Sequence, residues 1–205
     1  MLKVGLTGGY ATGKSFIASE LKKLGCHIIQ ADKLGHEVLD PEGAAYLPTI
    51  ETFGPDILCP DATIDRKKLG VLVFSSPELL EKLNSIVHPA VFQLEESMMR
   101  EFAAENPTDI AVVEAAILIE TGRYRAYDRI ILTTCSEATQ ISRGMTRDHL
   151  THEQVRARLN NQMSSDEKKH HAHYVIDTEL SKEETARQVE HIFTELTELR
   201  KIVKT

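Results

Sequence analysis

An α/β fold of three layers, a five-stranded parallel sheet between helices, is predicted by three features of the 205-residue sequence. Short apolar runs read as buried strands, helical periodicity separates most of them, and a dense glycine cluster stands at the first strand-to-helix junction.

"LKVGLT" at 2–7 reads as a short buried strand that ends at the glycines. "SFIASELKKLG" follows, with Phe16, Ile17, Leu21 and Leu24 at helical spacing and Gly25 as a stop. "HIIQAD" at 27–32 is the second strand, the run near 110–115 the third, "RIILTT" at 129–134 the fourth and "HYVID" at 173–177 the fifth. From about 40 to 106 no convincing strand occurs. The apolar residues of 79–106 keep helical spacing but meet Pro89, and proline suits a first turn rather than a helix interior. Two helices meeting at His88-Pro89 are therefore expected. Thr151 with Gln154, and Ser181 with Glu184, have capping-box spacing. An amphipathic helix is expected from Ser181 to about Val203. The core is thus placed at 1–40, 107–140 and 172–205, with a helical subdomain at 41–106 and a helical lid at 141–171.

Composition narrows the function. Net charge is −7 and tryptophan is absent, which argues against nucleic-acid binding through a broad basic face. No apolar run approaches the ~18 residues of a membrane span, and the start of the chain lacks the basic and apolar regions of a signal peptide. Cys26, Cys59 and Cys135 are scattered, as expected of reduced thiols in a cytoplasmic protein. The stretch 140–171 carries six Lys/Arg against four acids, a local +2 in an acidic chain. His170, His171 and His173 lack the spacing and the nearby cysteines of a metal site.

The segment "GLTGGYATGKSF" matches Gly8-x-x-x-x-Gly13-Lys14-Ser15, the phosphate-binding loop signature. Gly8, Gly9, Ala11, Thr12 and Gly13 are small enough for successive backbone N–H groups to turn inward around phosphates. The N-terminus of the following helix adds positive potential, Lys14 a point charge, and the Ser15 hydroxyl a Mg²⁺ ligand. A strand before and a helix after the loop make a nucleoside triphosphate with Mg²⁺ the expected ligand.

The acceptor side needs other residues. Asp32 follows the second strand at the sheet edge where α/β folds collect ligands. There it either accepts the proton of an attacking hydroxyl or caps a helix starting near Lys33. Glu114 and Glu120 are the candidate Mg²⁺-orienting carboxylates. Arg143 and Arg147, four apart, share a helix face, and an arginine swung over the phosphates neutralises charge developing in transfer. With Arg156 and Arg158 beyond a break near Leu150–Thr151, they form a lid that excludes water. These residues define an ATP-dependent phosphotransferase, and a nucleoside monophosphate or shikimate-type kinase fits them too. Asp32-Lys33-Leu34-Gly35 matches the D-x-x-G of a nucleotide switch protein, but no N-K-x-D is present to read guanine.

The ordered set "GLTGG", "GKS", "AD" at 31–32, "FG" at 53–54, "IDR" at 64–66, "VF" at 73–74, "HP" at 88–89, "LIE" at 118–120, Gln140, Arg143, "RD" at 147–148, "RLNNQ" at 158–162 and "YVID" at 174–177 resembles the dephospho-coenzyme A kinase family across nearly the whole chain. The resemblance implies a phosphate-loop (P-loop) kinase fold and transfer from ATP to the ribose 3′-hydroxyl of dephospho-coenzyme A. It implies Asp32 as general base, Arg66, His88 and Glu120 beside the acceptor, Arg143 toward ATP and Arg147 on the lid. Tyr10, Thr12 and Phe16 depart from the family's usual isoleucine, serine and threonine, and the Phe16 contact to phosphate is expected through its backbone N–H. "PLL" is replaced by Ala116-Ile117-Leu118. Thr178 and His173 replace an asparagine and an aspartate, and base contacts differ here if those positions shape the adenine pocket.

Overall fold

The computed structural model describes residues 1–107 and 109–202. The strands are β1 (Leu2–Gly8), β2 (His27–Gln30), β3 (Ile110–Glu114), β4 (Arg129–Thr134) and β5 (Tyr174–Asp177). The helices are α1 (Lys14–Lys23), α2 (Ala31–Glu37), α3 (Tyr46–Phe53), α4 (Arg66–Phe74), α5 (Pro77–Glu105), α6 (Glu137–Asp148), α7 (His152–Asn160), α8 (Ser165–Lys169) and α9 (Lys182–Ile202). Two compact units result, one of Met1–Gln30 with the chain from Ala103 onward, the other of Ala31–Phe102.

In the first unit all pairings are parallel and the strand order is β2-β3-β1-β4-β5. The chain leaves β1 toward β2 on one side and later adds β4 on the other, so β1 marks the topological switch point where such sheets bind ligands. Period-2 alternation divides the strand residues. Leu2, Val4, Leu6, Ile110, Val112, Ile131 and Ile176 share one core with Ile17, Ala18 and Leu21 of α1 and Val189, Ile192 and Leu196 of α9. The opposite face is covered by the segment after β3. A Cβ on Gly5 would lie 2.4 Å from a Leu118 methyl and 2.8 Å from an Ile130 methyl, so both side chains would have to shift to admit one.

The second unit has its own core of Tyr46, Ile57, Ile64, Leu69 and Val73. Among its described residues, strand-like pairing is limited to one isolated bridge, Leu58 with Ile64. Asp65 caps α4, its carboxylate accepting from Lys67 N at 3.0 Å and Lys68 N at 3.1 Å.

Pro89 does not separate two helices. It lies inside the continuous 29-residue α5. Proline forfeits one N–H bond there, a local cost of ~3 kcal/mol. Val91, Glu95 and Met99, four apart on one buried stripe, continue the helix past it. The second expected strand is also shorter than read. Helix α2 takes over at Ala31, so Asp32 stands in a first turn rather than at a strand end or a cap. Both capping boxes form: Thr151 with Gln154, and Ser181 with Glu184. The expected helix end at Val203 lies outside the described residues. Among these, no helix is long and apolar enough to cross a membrane.

Candidate active site

The loop between β1 and α1 is shaped by close approaches. A Cβ on Gly8 would fall 2.1 Å from Thr133 Oγ1 and 2.7 Å from the Thr133 carbonyl oxygen, a collision with backbone that forbids any side chain. Gly13 enters α1 with φ 86°, in the left-handed region that glycine adopts without strain. Ala11 holds φ 58° without that freedom. Thr12 steadies the turn, its hydroxyl bonding the Gly9 carbonyl at 2.8 Å and sharing a 2.6 Å bond with the Thr133 hydroxyl.

Lys14 folds back over the loop. Its ammonium donates to the carbonyls of Gly8 at 2.9 Å and Gly9 at 3.0 Å. On the next residue the Ser15 hydroxyl donates to Glu114 Oε1 at 2.8 Å, while Gln30 donates to Glu114 Oε2 at 3.0 Å. Glu114 is buried at the carboxyl end of β3. These two bonds orient its carboxylate beside the serine. A hydroxyl and a carboxylate are hard oxygen donors, the type Mg²⁺ selects, and Mg²⁺ needs few protein ligands when phosphates and waters supply the rest. The donor set therefore fits that ion. Phe16 turns its ring toward the core, and its N–H donates to the Gly13 carbonyl at 3.1 Å.

The arginine-bearing helices flank the loop within the same unit. A cavity of about 400 Å³ is lined by Ala11, Gly13, Ser142, Arg143, Thr146 and Arg147. Arg143 donates to the Thr178 hydroxyl at 3.0 Å and to its carbonyl at 2.6 Å, and that hydroxyl donates to the Thr12 carbonyl at 2.9 Å. Thr178 is thus a buried bridge between arginine and loop. Arg147 makes a two-pronged pair with Asp148, at 2.8 and 2.9 Å, and Arg158 approaches the same carboxylate at 3.5 Å. The Arg147 guanidinium holds the Asp148 carboxyl well below the usual carboxylate range.

Glu120 pairs with Lys168, whose ammonium is buried at 2.7 Å from Oε1 and also bonds the Ala116 carbonyl at 3.3 Å. Thr7 donates to that carbonyl at 3.3 Å, so the segment where proline is missing is pinned by its backbone. His173 lies at the amino end of β4, its Nδ1 accepting from Ile130 N at 3.0 Å. That is the sheet edge opposite the loop, so this departure touches no loop residue.

Asp32, Arg66 and His88 belong to the second unit. Asp32 is exposed on α2. Arg66 reaches the His36 carbonyl at 3.3 Å and Asp40 at 3.2 Å, tying α4 to the end of α2. His88 stacks on Phe92 with ring centroids 6.0 Å apart, and burial lowers its pKa. The loop residues, Glu114, Arg143 and Arg147 are therefore brought together in one unit, and three acceptor-side candidates fall in the other. Sequence reasoning gave no role to Thr133 or Gln162. Both act through close approaches of distant segments, which leave no periodic signal.

The dephospho-CoA kinase family profile matches residues 2–184. A dephospho-CoA kinase of Syntrophus aciditrophicus is 40% identical over 196 residues, covering 96% of this chain and 83% of its own. A dephospho-CoA kinase domain-containing protein of Danio rerio is 39% identical, covering 96% and 86%. A solved dephospho-CoA kinase from Campylobacter jejuni superposes with TM-score 0.65 at 28% identity, covering 96% of this chain and 97% of that one. A solved Thermus thermophilus protein superposes with TM-score 0.81, also at 28% identity, covering 96% and 98%. With nearly its whole length matched and its phosphate loop formed, the chain belongs to the dephospho-CoA kinase family.

Proposed function

We propose that the protein transfers the γ-phosphoryl group of ATP to the ribose 3′-hydroxyl of dephospho-coenzyme A, giving coenzyme A. The observation that carries this reading is the family match over residues 2–184 joined to a formed phosphate loop with Lys14 and Ser15 in place. In this reading the loop N–H groups and the first turn of α1 bind the polyphosphate. Lys14 exchanges loop carbonyls for phosphate oxygens. Ser15 and Glu114 would hold Mg²⁺, which would neutralise phosphate charge during transfer. Asp32 accepts the proton of the attacking hydroxyl. It stands in the first turn of α2, and because phosphoryl transfer is loose, placement matters more than base strength. Arg66 and His88 serve the acceptor, while Arg143 and Arg147 serve the nucleotide.

An acceptor panel with ATP tests the reading. ADP release with dephospho-coenzyme A should far exceed that with AMP or shikimate, and product mass should show one added phosphate. Faster turnover of AMP or shikimate would reject it. Lys14→Ala is expected to lower turnover by about 10²-fold or more. Asp32→Asn is expected to lower kcat with little change in ATP affinity, and near-normal kcat would remove Asp32 from the chemistry.

A further inference from the structure

Tyr10, at the tip of the phosphate loop, is tied to the arginine-bearing helices by backbone and side chain together. Its N–H donates to Gln162 Oε1 at 2.7 Å, and its carbonyl accepts from Gln140 Nε2 at 2.7 Å. Its hydroxyl donates to Asp148 Oδ2. The guanidinium carbons of Arg147 and Arg158 lie 5.1 and 5.3 Å from the ring centroid, within cation–π range. The same two arginines pair with the carboxylate that the phenol touches. Gly144 makes room for the ring, since a Cβ there would stand 2.6 Å from Tyr10 Cε1. Arg147 also lines the cavity beside Ala11 and Gly13.

We propose that Tyr10 is a positioning residue for nucleotide binding. It stations Arg147 at the cavity wall by anchoring Asp148 and by offering its ring to both guanidinium groups. An aliphatic side chain supplies neither the donor nor the negative ring face. The bidentate Arg147–Asp148 pair fixes the direction of the guanidinium, and the phenol fixes Asp148. Tyr10 thereby links loop geometry to lid charge. This inference rests on reading the cavity as the ATP site.

Titration calorimetry with Mg²⁺ and a non-hydrolysable ATP analogue tests it on the full chain. Tyr10→Leu is expected to weaken binding about fivefold or more, the scale of losing two cation–π contacts and one charge-assisted hydrogen bond. Tyr10→Phe, which keeps the ring, should lose about half as much on a logarithmic scale and carries the test if the leucine variant does not fold. In an Arg147→Ala background either replacement should change affinity less than about twofold, because the effect travels through that arginine. A merely structural tyrosine would lower the unfolding midpoint and keep its effect on affinity in that background, which overturns the proposal. Unchanged affinity in both single variants overturns it as well. Failure of the unmodified protein to bind the analogue is a separate result, which removes the ATP-site reading and this inference with it.

Discussion

The Ser15 hydroxyl donates to Glu114 Oε1 at 2.8 Å, joining the end of the phosphate loop to the end of β3. Glu114 thus contacts the serine, whereas Glu120 is engaged by Lys168. Glu114→Gln keeps the shape and removes the charge. Its expected effect is a 10- to 100-fold loss, roughly, in Mg²⁺ affinity or activity, the usual scale for a group that orients a metal ligand. Initial rates across a Mg²⁺ series check this. An unchanged Mg²⁺ dependence would assign the cation to other groups.

Ala11 occupies the left-handed region at φ 58°. That conformation costs an alanine roughly 1–2 kcal/mol, and glycine loses part of the gain through a more flexible unfolded chain. Ala11→Gly should therefore raise stability by about 0.5–1 kcal/mol, read as a higher urea midpoint at constant slope. A lower midpoint would mean the loop carries no strain there.

Lys168 is enclosed, with its side chain 1% exposed, and Glu120 is its ion-pair partner. Lys168→Met leaves that carboxylate without its cation, and breaking a buried pair from one side costs about 3–5 kcal/mol. Both Glu120 carboxylate oxygens are themselves buried, so the charge left behind stays out of water. Adding Glu120→Gln should recover part of the loss. Equilibrium denaturation of both variants measures it, and strictly additive losses would contradict the pairing.

Burial pushes the Cys26 thiol up to about 12. The folded value exceeds the unfolded one, so the folded state keeps a proton that the unfolded state releases. The stabilising effect is complete below pH 9 and fades as pH rises from there toward 12. One such group contributes up to about 1.4 kcal/mol per pH unit to that decline. Cys26→Ala should flatten the alkaline limb of stability against pH. Thiol-reactive dye should leave Cys26 unmodified in the native protein at pH 8 and modify it in denaturant.

Much of the fold was legible because its signals are local. Apolar runs bounded by glycine and helical segments marked every strand, and "RIILTT" matches β4 end to end. The phosphate loop was legible because its small residues answer a geometric demand that repeats wherever phosphate is gripped. Pro89 misled because a local rule met a stronger tertiary one: the buried stripe of Val91, Glu95 and Met99 outweighs a missing hydrogen bond. The bridge from Arg143 through Thr178 to Thr12 could not be read, since it joins three segments separated by more than a hundred residues in part. His173 shows the same limit. Its neighbour Tyr174 begins β5, and only the register places its ring at the amino edge of the sheet.

The loop grows from β1, which is flanked by β3 on one side and β4 on the other. Amides of a strand enclosed in this way exchange with solvent only in the rarest openings, while short peripheral helices such as α7 and α8 open far more often. The anchor of the phosphate grip is thus the slowest part of the molecule to loosen. Warming should free the arginine-bearing helices well before the loop loses its footing.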